Sequence, residues 1–188
     1  MASQSPPLKE NYVFAPSGSA LIDAPVEQVW GVLLDFKSYR LWNPFVRNQI
    51  ATDTAKNPLP DQPLQVGQNV YIYPVHLPPT LDDTSVGIFN KSSAFCLVTA
   101  LDHENFTVAW CTYGIPSWIL HAERWQWLRI VEADLDDGKG KRKVTKYESV
   151  EMFSGFAAYL VKWFVGSKLQ LGFQAQADGL KRWAERDS

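Results

Sequence analysis

Two proton-exchanging residues, His121 and Glu123, stand two apart in the string His121-Ala122-Glu123-Arg124-Trp125-Gln126-Trp127-Leu128-Arg129. In an extended chain His121, Glu123, Trp125, Trp127 and Arg129 share one face, and Leu120, Ala122, Arg124, Gln126, Leu128 and Ile130 share the other. A histidine beside a carboxylate makes a tunable acid/base pair, here walled by two rigid indoles. The alternative reading packs the tryptophans under a helix and leaves His121 and Glu123 at a solvated strand end. Arg124, on the opposite face, either contacts a ligand or bridges to acids of a neighbouring strand. Further on, Tyr147, Ser149, Glu151 and Phe153 again fall on one side of an extended stretch. A phenol can polarise a carbonyl and a carboxylate can carry a proton, whereas the plainer alternative is a cross-strand polar ladder. His121, Glu123, Tyr147 and Glu151 are thus the catalytic candidates.

Candidates for contact with a ligand are Asn43, Arg124, Trp125, Trp127, Trp163, Tyr113 and His76. Asn43 precedes Pro44, where an Asn-Pro pair also serves as simple turn punctuation. His76 lies beside Pro78-Pro79, with Asp82-Asp83 following, and reads either as a lid histidine or as solvated loop chemistry. Cys111 shares a face with Tyr113, and a small buried thiol is its default reading. The chain has no G-x-S-x-G elbow, no P-loop and no G-x-G-x-x-G. His121-Ala122-Glu123 lacks the Pro-Cys-x-x-Cys that a zinc deaminase needs. Three scattered histidines and two cysteines make no metal site. Residues 132–143 echo a calcium loop but end on Lys143 where the bidentate acid belongs. No metal and no cofactor is expected.

The elements that would position these groups follow from the hydrophobic pattern. Residues 1–11 are Ser/Pro-rich and read as a flexible tail; residues 12–186 read as one domain. Residues 12–23 form a first strand, limited by Pro16 and Gly18 to an edge or bulged position. Pro25 opens a helix in which Val26, Val29, Trp30, Leu33 and Leu34 make one apolar face. A second short helix covers residues 37–41. Residues 46–53, 69–76, 93–101, 106–113, 119–131 and 143–153 read as strands, rich in β-branched and aromatic residues. Two long loops, 54–68 and 77–89, have the length of binding loops or lids.

Residues 156–186 read as a helix roughly 46 Å long. Phe156, Leu160, Trp163, Phe164 and Leu171 form its apolar side, carried onward by Leu169, Phe173, Ala177 and Leu180. A kink near Gly166 is plausible from propensity. Strand, two helices, about six strands and a long helix make an α+β chain with an antiparallel sheet. A curved sheet closed by one helix leaves a space between them for side chains or a guest.

The chain has 188 residues, 46% hydrophobic and 20% charged, with a formal charge of −2. That supports one packed domain and argues against a nucleic-acid partner. The cysteines, Cys96 and Cys111, are too few for a disulfide scaffold, and no export signal or membrane-length apolar run is visible. The expectation is a cytoplasmic protein with no stable membrane insertion, monomeric or weakly homodimeric. Lys139, Lys141, Arg142 and Lys143 read as a solvated hairpin tip or a weak contact for anionic lipid.

Several strings carry a resemblance. They are Ile22-Asp23-Ala24-Pro25-Val26-Glu27-Gln28-Val29-Trp30, Leu34-Asp35-Phe36-Lys37-Ser38-Tyr39 and Trp42-Asn43-Pro44-Phe45-Val46, then residues 146–155, Gly172-Phe173 and Gly179-Leu180-Lys181. In this order they resemble the START-like, or SRPBCC (Bet v 1-like helix-grip), superfamily, within it the polyketide cyclase/dehydrase and coenzyme Q-binding group. The resemblance implies a curved antiparallel sheet of six to seven strands wrapped on the long C-terminal helix, enclosing an apolar pocket. It implies a hydrophobic small-molecule partner. The expected function is a cofactor-free cyclase, dehydratase or isomerase acting on a polyketide- or terpenoid-like molecule; the alternative is a non-catalytic carrier or sensor of a lipid, sterol or quinone. No catalytic residue is carried over from the family.

Overall fold

The computed structural model describes residues 12–59, 63–134 and 141–186. The expected tail (1–11) and hairpin tip (136–140) lie outside them. Seven strands, β1 (Ser17–Ile22), β2 (Gln49–Thr52), β3 (Asn69–His76), β4 (Lys91–Asp102), β5 (Thr107–Thr112), β6 (His121–Asp134) and β7 (Lys141–Ser154), form one sheet. Its order is β1-β7-β6-β5-β4-β3-β2, antiparallel throughout. Helices α1 (Val26–Leu34) and α2 (Tyr39–Trp42) link β1 to β2, and α3 (Phe156–Ala184) closes the chain as one 29-residue helix. The curved sheet closed by a terminal helix is the expected architecture.

β1 is shorter than the apolar pattern suggests because Pro16 has no N–H to give the ladder. Before it, Val13 N–H donates to the Phe153 carbonyl at 2.8 Å and Phe14 joins β7 through a single bridge. The free edge of β1 is closed by α3. Gln170 donates to the Ser17 carbonyl at 2.7 Å and Gln174 to the Ser19 carbonyl at 3.0 Å, one turn apart. A covered edge cannot recruit a foreign strand.

The second half of α3 packs tightly. Phe173, Ala177 and Leu180 are fully buried, as their spacing predicts. Its backbone comes so near its neighbours that a Cβ at Gly172 would stand 2.4 Å from the Phe45 ring, and one at Gly179 would stand 2.5 Å from the Trp42 carbonyl oxygen. The first half departs from expectation. Phe156, Leu160, Trp163, Phe164 and Leu171 are exposed, while Ala158, Val161 and Val165 turn inward. A spacing of three and four finds the stripe but not which side meets the sheet.

Asn43 turns the chain between α2 and β2. Its buried Oδ1 accepts from the N–H groups of Phe45 at 3.0 Å and Val46 at 2.9 Å. Replacing it strands two buried donors. Asn43→Ala is therefore expected to lose about 1–3 kcal/mol of stability, read as a lower urea midpoint with unchanged slope.

Candidate functional site

The concave face of the sheet and the first half of α3 enclose a cavity of about 720 Å³. Ile72, Cys96, Trp110, Ala122 and Phe153 line its sheet side, and Val161, Val165 and Leu169 its helix side. Phe45 and Val46, turned inward by Asn43, close one end. Ser92, Ser93, Tyr113, Gly114 and Ile115 stand at the mouth, all exposed. Lys56 is there too, its Nζ 4.9 Å from the Phe95 ring centroid. A hollow this size fits a drug-sized apolar molecule.

Two ionisable groups from neighbouring strands meet this space. Arg124 and Glu151 are register partners across β6 and β7, and both line the cavity. The Arg124 guanidinium is buried and well held. Nε donates to Ser149 Oγ at 3.2 Å, Nη2 donates to Gln176 Oε1 at 3.0 Å, and the group lies 4.3 Å above the Phe173 ring. Beneath it Tyr147 donates to Gln126 Oε1 at 2.7 Å, and Gln176 donates to the same oxygen at 3.3 Å. Such a network satisfies a cation that would otherwise be prohibitive to bury.

Glu151 is different. Its carboxyl has no side-chain hydrogen bond among the described residues and is the one carboxyl lining the cavity. Burial raises its pKa, and the Arg124 charge, pulling the other way, does not cancel the rise. Its half-exposed surface belongs to the hollow rather than to the outside. A carboxyl whose pKa is raised by burial, beside a fixed cation, is a group suited to giving or taking a proton.

The other candidates sit elsewhere. His121 and Glu123 face away from the cavity, with Nε2 3.9 Å from Oε2. Trp125 shares that face in a second apolar cluster with Ala100, Ala109, Val150 and Met152, and Tyr12, Ala15 and Trp127 pack on it. Trp127 donates to Glu148 Oε2 at 3.1 Å. The pair of tryptophans thus serves the sheet's convex side, because the N-terminal segment gives that side a cover of its own. Tyr147 faces inward but is fully buried in the network under the cavity. Asn43 is buried in its turn, and Trp163 is 85% exposed. His76 is buried with Nδ1 3.0 Å from the Thr80 carbonyl oxygen, near Asp83 rather than at the lip.

Asp83 is held below the usual carboxylate range by hydrogen bonds from Arg47 and Arg40, so this cluster pins the 77–87 loop. Of the ligand candidates, Arg124 and Tyr113 line the hollow, and of the catalytic candidates Glu151 does. Gln126, Ser149, Gln176 and Lys56 were not foreseen. The signal for Gln176 was a polar residue inside the stripe Phe173, Ala177, Leu180. Among the described residues no three His, Cys, Asp or Glu side chains converge to hold a metal ion.

The raised Glu151 pKa has a stability consequence. The fold favours the neutral acid, so its contribution is fully present below the ordinary glutamate value of 4.5 and is lost as pH rises through the higher folded value. Glu151→Gln keeps the neutral shape without that loss. Urea midpoints should coincide for the two proteins near pH 4 and separate in favour of Glu151→Gln as pH climbs to about 8. Coincident midpoints across the range would remove the assignment.

No family model matches the chain. A curated protein, the oxopyrrolidines biosynthesis cluster protein O of Penicillium oxalicum, is 29% identical over 176 residues, covering 89% of this chain and 84% of its own length. A hypothetical protein from Helicobacter pylori superposes with a TM-score of 0.60 at 13% identity, over 98% of this chain and 99% of that one. A START superfamily protein from Mycobacterium smegmatis superposes with a TM-score of 0.54 at 14% identity, over 93% and 99% of the two chains. Ara h 8.0201 does so with a TM-score of 0.51 at 12% identity, over 91% and 97%. With the seven-stranded curled sheet and its closing helix, these neighbours establish that the chain has the START-like, helix-grip fold.

Proposed function

We propose that this protein is a cofactor-free enzyme that cyclises, dehydrates or isomerises a polyketide- or terpenoid-like molecule held in the cavity. One observation carries the reading: a single carboxyl of raised pKa, lacking a hydrogen-bond partner among the described residues, facing an apolar hollow beside a fixed guanidinium. A hollow that only stored an apolar guest would gain nothing from an acid that resists ionisation. The relative from a biosynthesis cluster supports a small-molecule role.

The chemistry follows from the two groups. In its ionised form Glu151 takes a proton from a carbon beside a substrate carbonyl. The enolate carbon then bonds to a second carbonyl carbon of the same folded chain, and that carbonyl's π electrons move to its oxygen. The new alkoxide takes the proton back from Glu151, so the carboxylate is regenerated and no co-reactant is consumed. Arg124 stabilises the negative oxygen as it develops. The apolar walls of Trp110, Phe153 and Val165 hold the chain coiled with its reacting carbons in reach and keep water out. Loss of water from the resulting alcohol needs the same acid and base.

The test uses an organic extract of a producing strain from which the gene has been deleted. Parent protein should convert one accumulated compound into a product of equal mass or of that mass less one water. Glu151→Gln should slow this at least about a hundredfold, the usual contribution of a positioned acid/base group, and still retain the compound on gel filtration. Arg124→Met should lower the rate as well, through lost stabilisation of the oxyanion. A compound that the parent binds and returns unaltered would favour the carrier reading.

A further inference from the structure

The first half of α3 carries apolar side chains on two opposite sides, one toward the sheet and one toward the outside. Val161, Val165 and Leu169 line the cavity. Phe156, Tyr159, Leu160, Trp163 and Phe164 face outward, with Trp163 85% and Phe164 74% exposed. These outward residues recur at i, i+3, i+4, i+7 and i+8, one unbroken stripe. An exposed apolar stripe of this length marks a surface made for contact, and among the described residues nothing covers it.

The stripe continues around the cavity mouth. The Phe156 N–H donates to the Trp118 carbonyl at 2.9 Å, which sets exposed Trp118 against the start of the helix. Ile115, from the same turn, is exposed and lines the mouth. Just before Ser92 and Ser93, which also line it, Ile88 and Phe89 project, Phe89 97% exposed. Three separate elements thus present bare apolar side chains where the hollow opens.

Charge selects the occupant. From residue 156 to 177 there is no acidic side chain, only Lys162 and Lys168, and residues 113–120 carry no charge. Lys91 is the charged neighbour of Phe89. On a chain with 20 acids against 18 bases overall, residues 156–177 and 113–120 together thus carry lysine as their one kind of charge. Asp82 and Asp83, in the loop that bears Ile88 and Phe89, are held there by Thr84 and by Arg40 and Arg47. Two copies meeting here about a two-fold axis would bring one lysine-bearing patch against another. An anionic bilayer meets the lysines with opposite charge and takes Trp and Tyr rings at the level of its headgroups.

We propose that the outer stripe of α3, with Trp118, Ile88 and Phe89, docks the cavity mouth on an anionic lipid surface, so that an apolar guest enters without crossing water. The docking is peripheral, since among the described residues no helix is long and apolar enough to cross a membrane. It concerns how the guest arrives and is independent of whether Glu151 transforms it.

The full chain is spun down with phosphatidylcholine vesicles, with and without phosphatidylserine. The parent should sediment with the phosphatidylserine vesicles and be released by added salt. Leu160→Glu/Phe164→Glu should bind at least about tenfold more weakly, from two buried apolar side chains replaced by charge. Leu21→Glu, an exposed apolar position on β1, should bind as the parent does. Circular dichroism verifies that each variant is folded, and Phe164→Ser serves if the double variant is not. The proposal is overturned if the parent stays in the supernatant, or if the folded stripe variants bind as well as the parent. It is overturned equally if the parent without lipid is a stable dimer that Leu160→Glu/Phe164→Glu dissolves, since the stripe then belongs to a second copy.

Discussion

One end of α3 can stand off the sheet because the other end is clamped to it. The clamp is made of near contacts that only small residues permit. A Cβ at Gly18 would stand 2.2 Å from the Phe173 carbonyl oxygen, and the helix side adds Gly172 against Phe45 and Gly179 against Trp42. Phe173, Ala177 and Leu180 fill the seam between them. Hollows forfeit the dispersion contacts that dense packing supplies, so a cavity of about 720 Å³ has to be supported by packing elsewhere. Phe45 joins the two regimes: its ring is pressed against Gly172 and also closes the end of the cavity.

A polar network marks the border between the solid half and the hollow half. Arg124 reaches from β6 to Ser149 on β7 and Gln176 on α3, and Gln176 returns to Gln126, which accepts the Tyr147 hydroxyl. Breaking such a buried cation's contacts singly is far worse than never having buried it. The network therefore fixes both the guanidinium and the seat of α3 on the sheet. Against this satisfied cation, Glu151 has been left with the cavity as its only polar outlet among the described residues. The two groups thus differ: the cation is fully held by protein partners, and the carboxyl is open to the hollow.

Much of the scaffold was readable from periodicity. Of the five apolar positions of α1 predicted to share one face, Val26, Val29, Trp30 and Leu33 are buried and Leu34 is half-buried, and β3 spans the residues its pattern marks. The second half of α3 is buried on the stripe assigned to it. The candidate site was legible only in part. Alternation placed Arg124 opposite His121 and Glu123, and put Tyr147 on the same face as Glu151. The indole pair Trp125 and Trp127 drew attention to the wrong side, because a buried aromatic signals a core without saying which core. The convex side has a small core of its own, built on Ala100, Ala109, Val150 and Met152.

By itself, the order of residues determined the elements, the two-residue and near-four-residue periods, and so which side chains travel together. It also determined that one long helix must close a sheet of about seven strands. Only the folded chain decided which set in each element looks inward. That choice depends on the side from which α3 crosses the curved sheet and on where residues 12–15 lie, both set by contacts more than a hundred residues apart in sequence. Hence Arg124 and Glu151 became neighbours of an empty space while His121 and Glu123 were turned away from it: a period specifies partners on a face, and long-range packing assigns that face its surroundings.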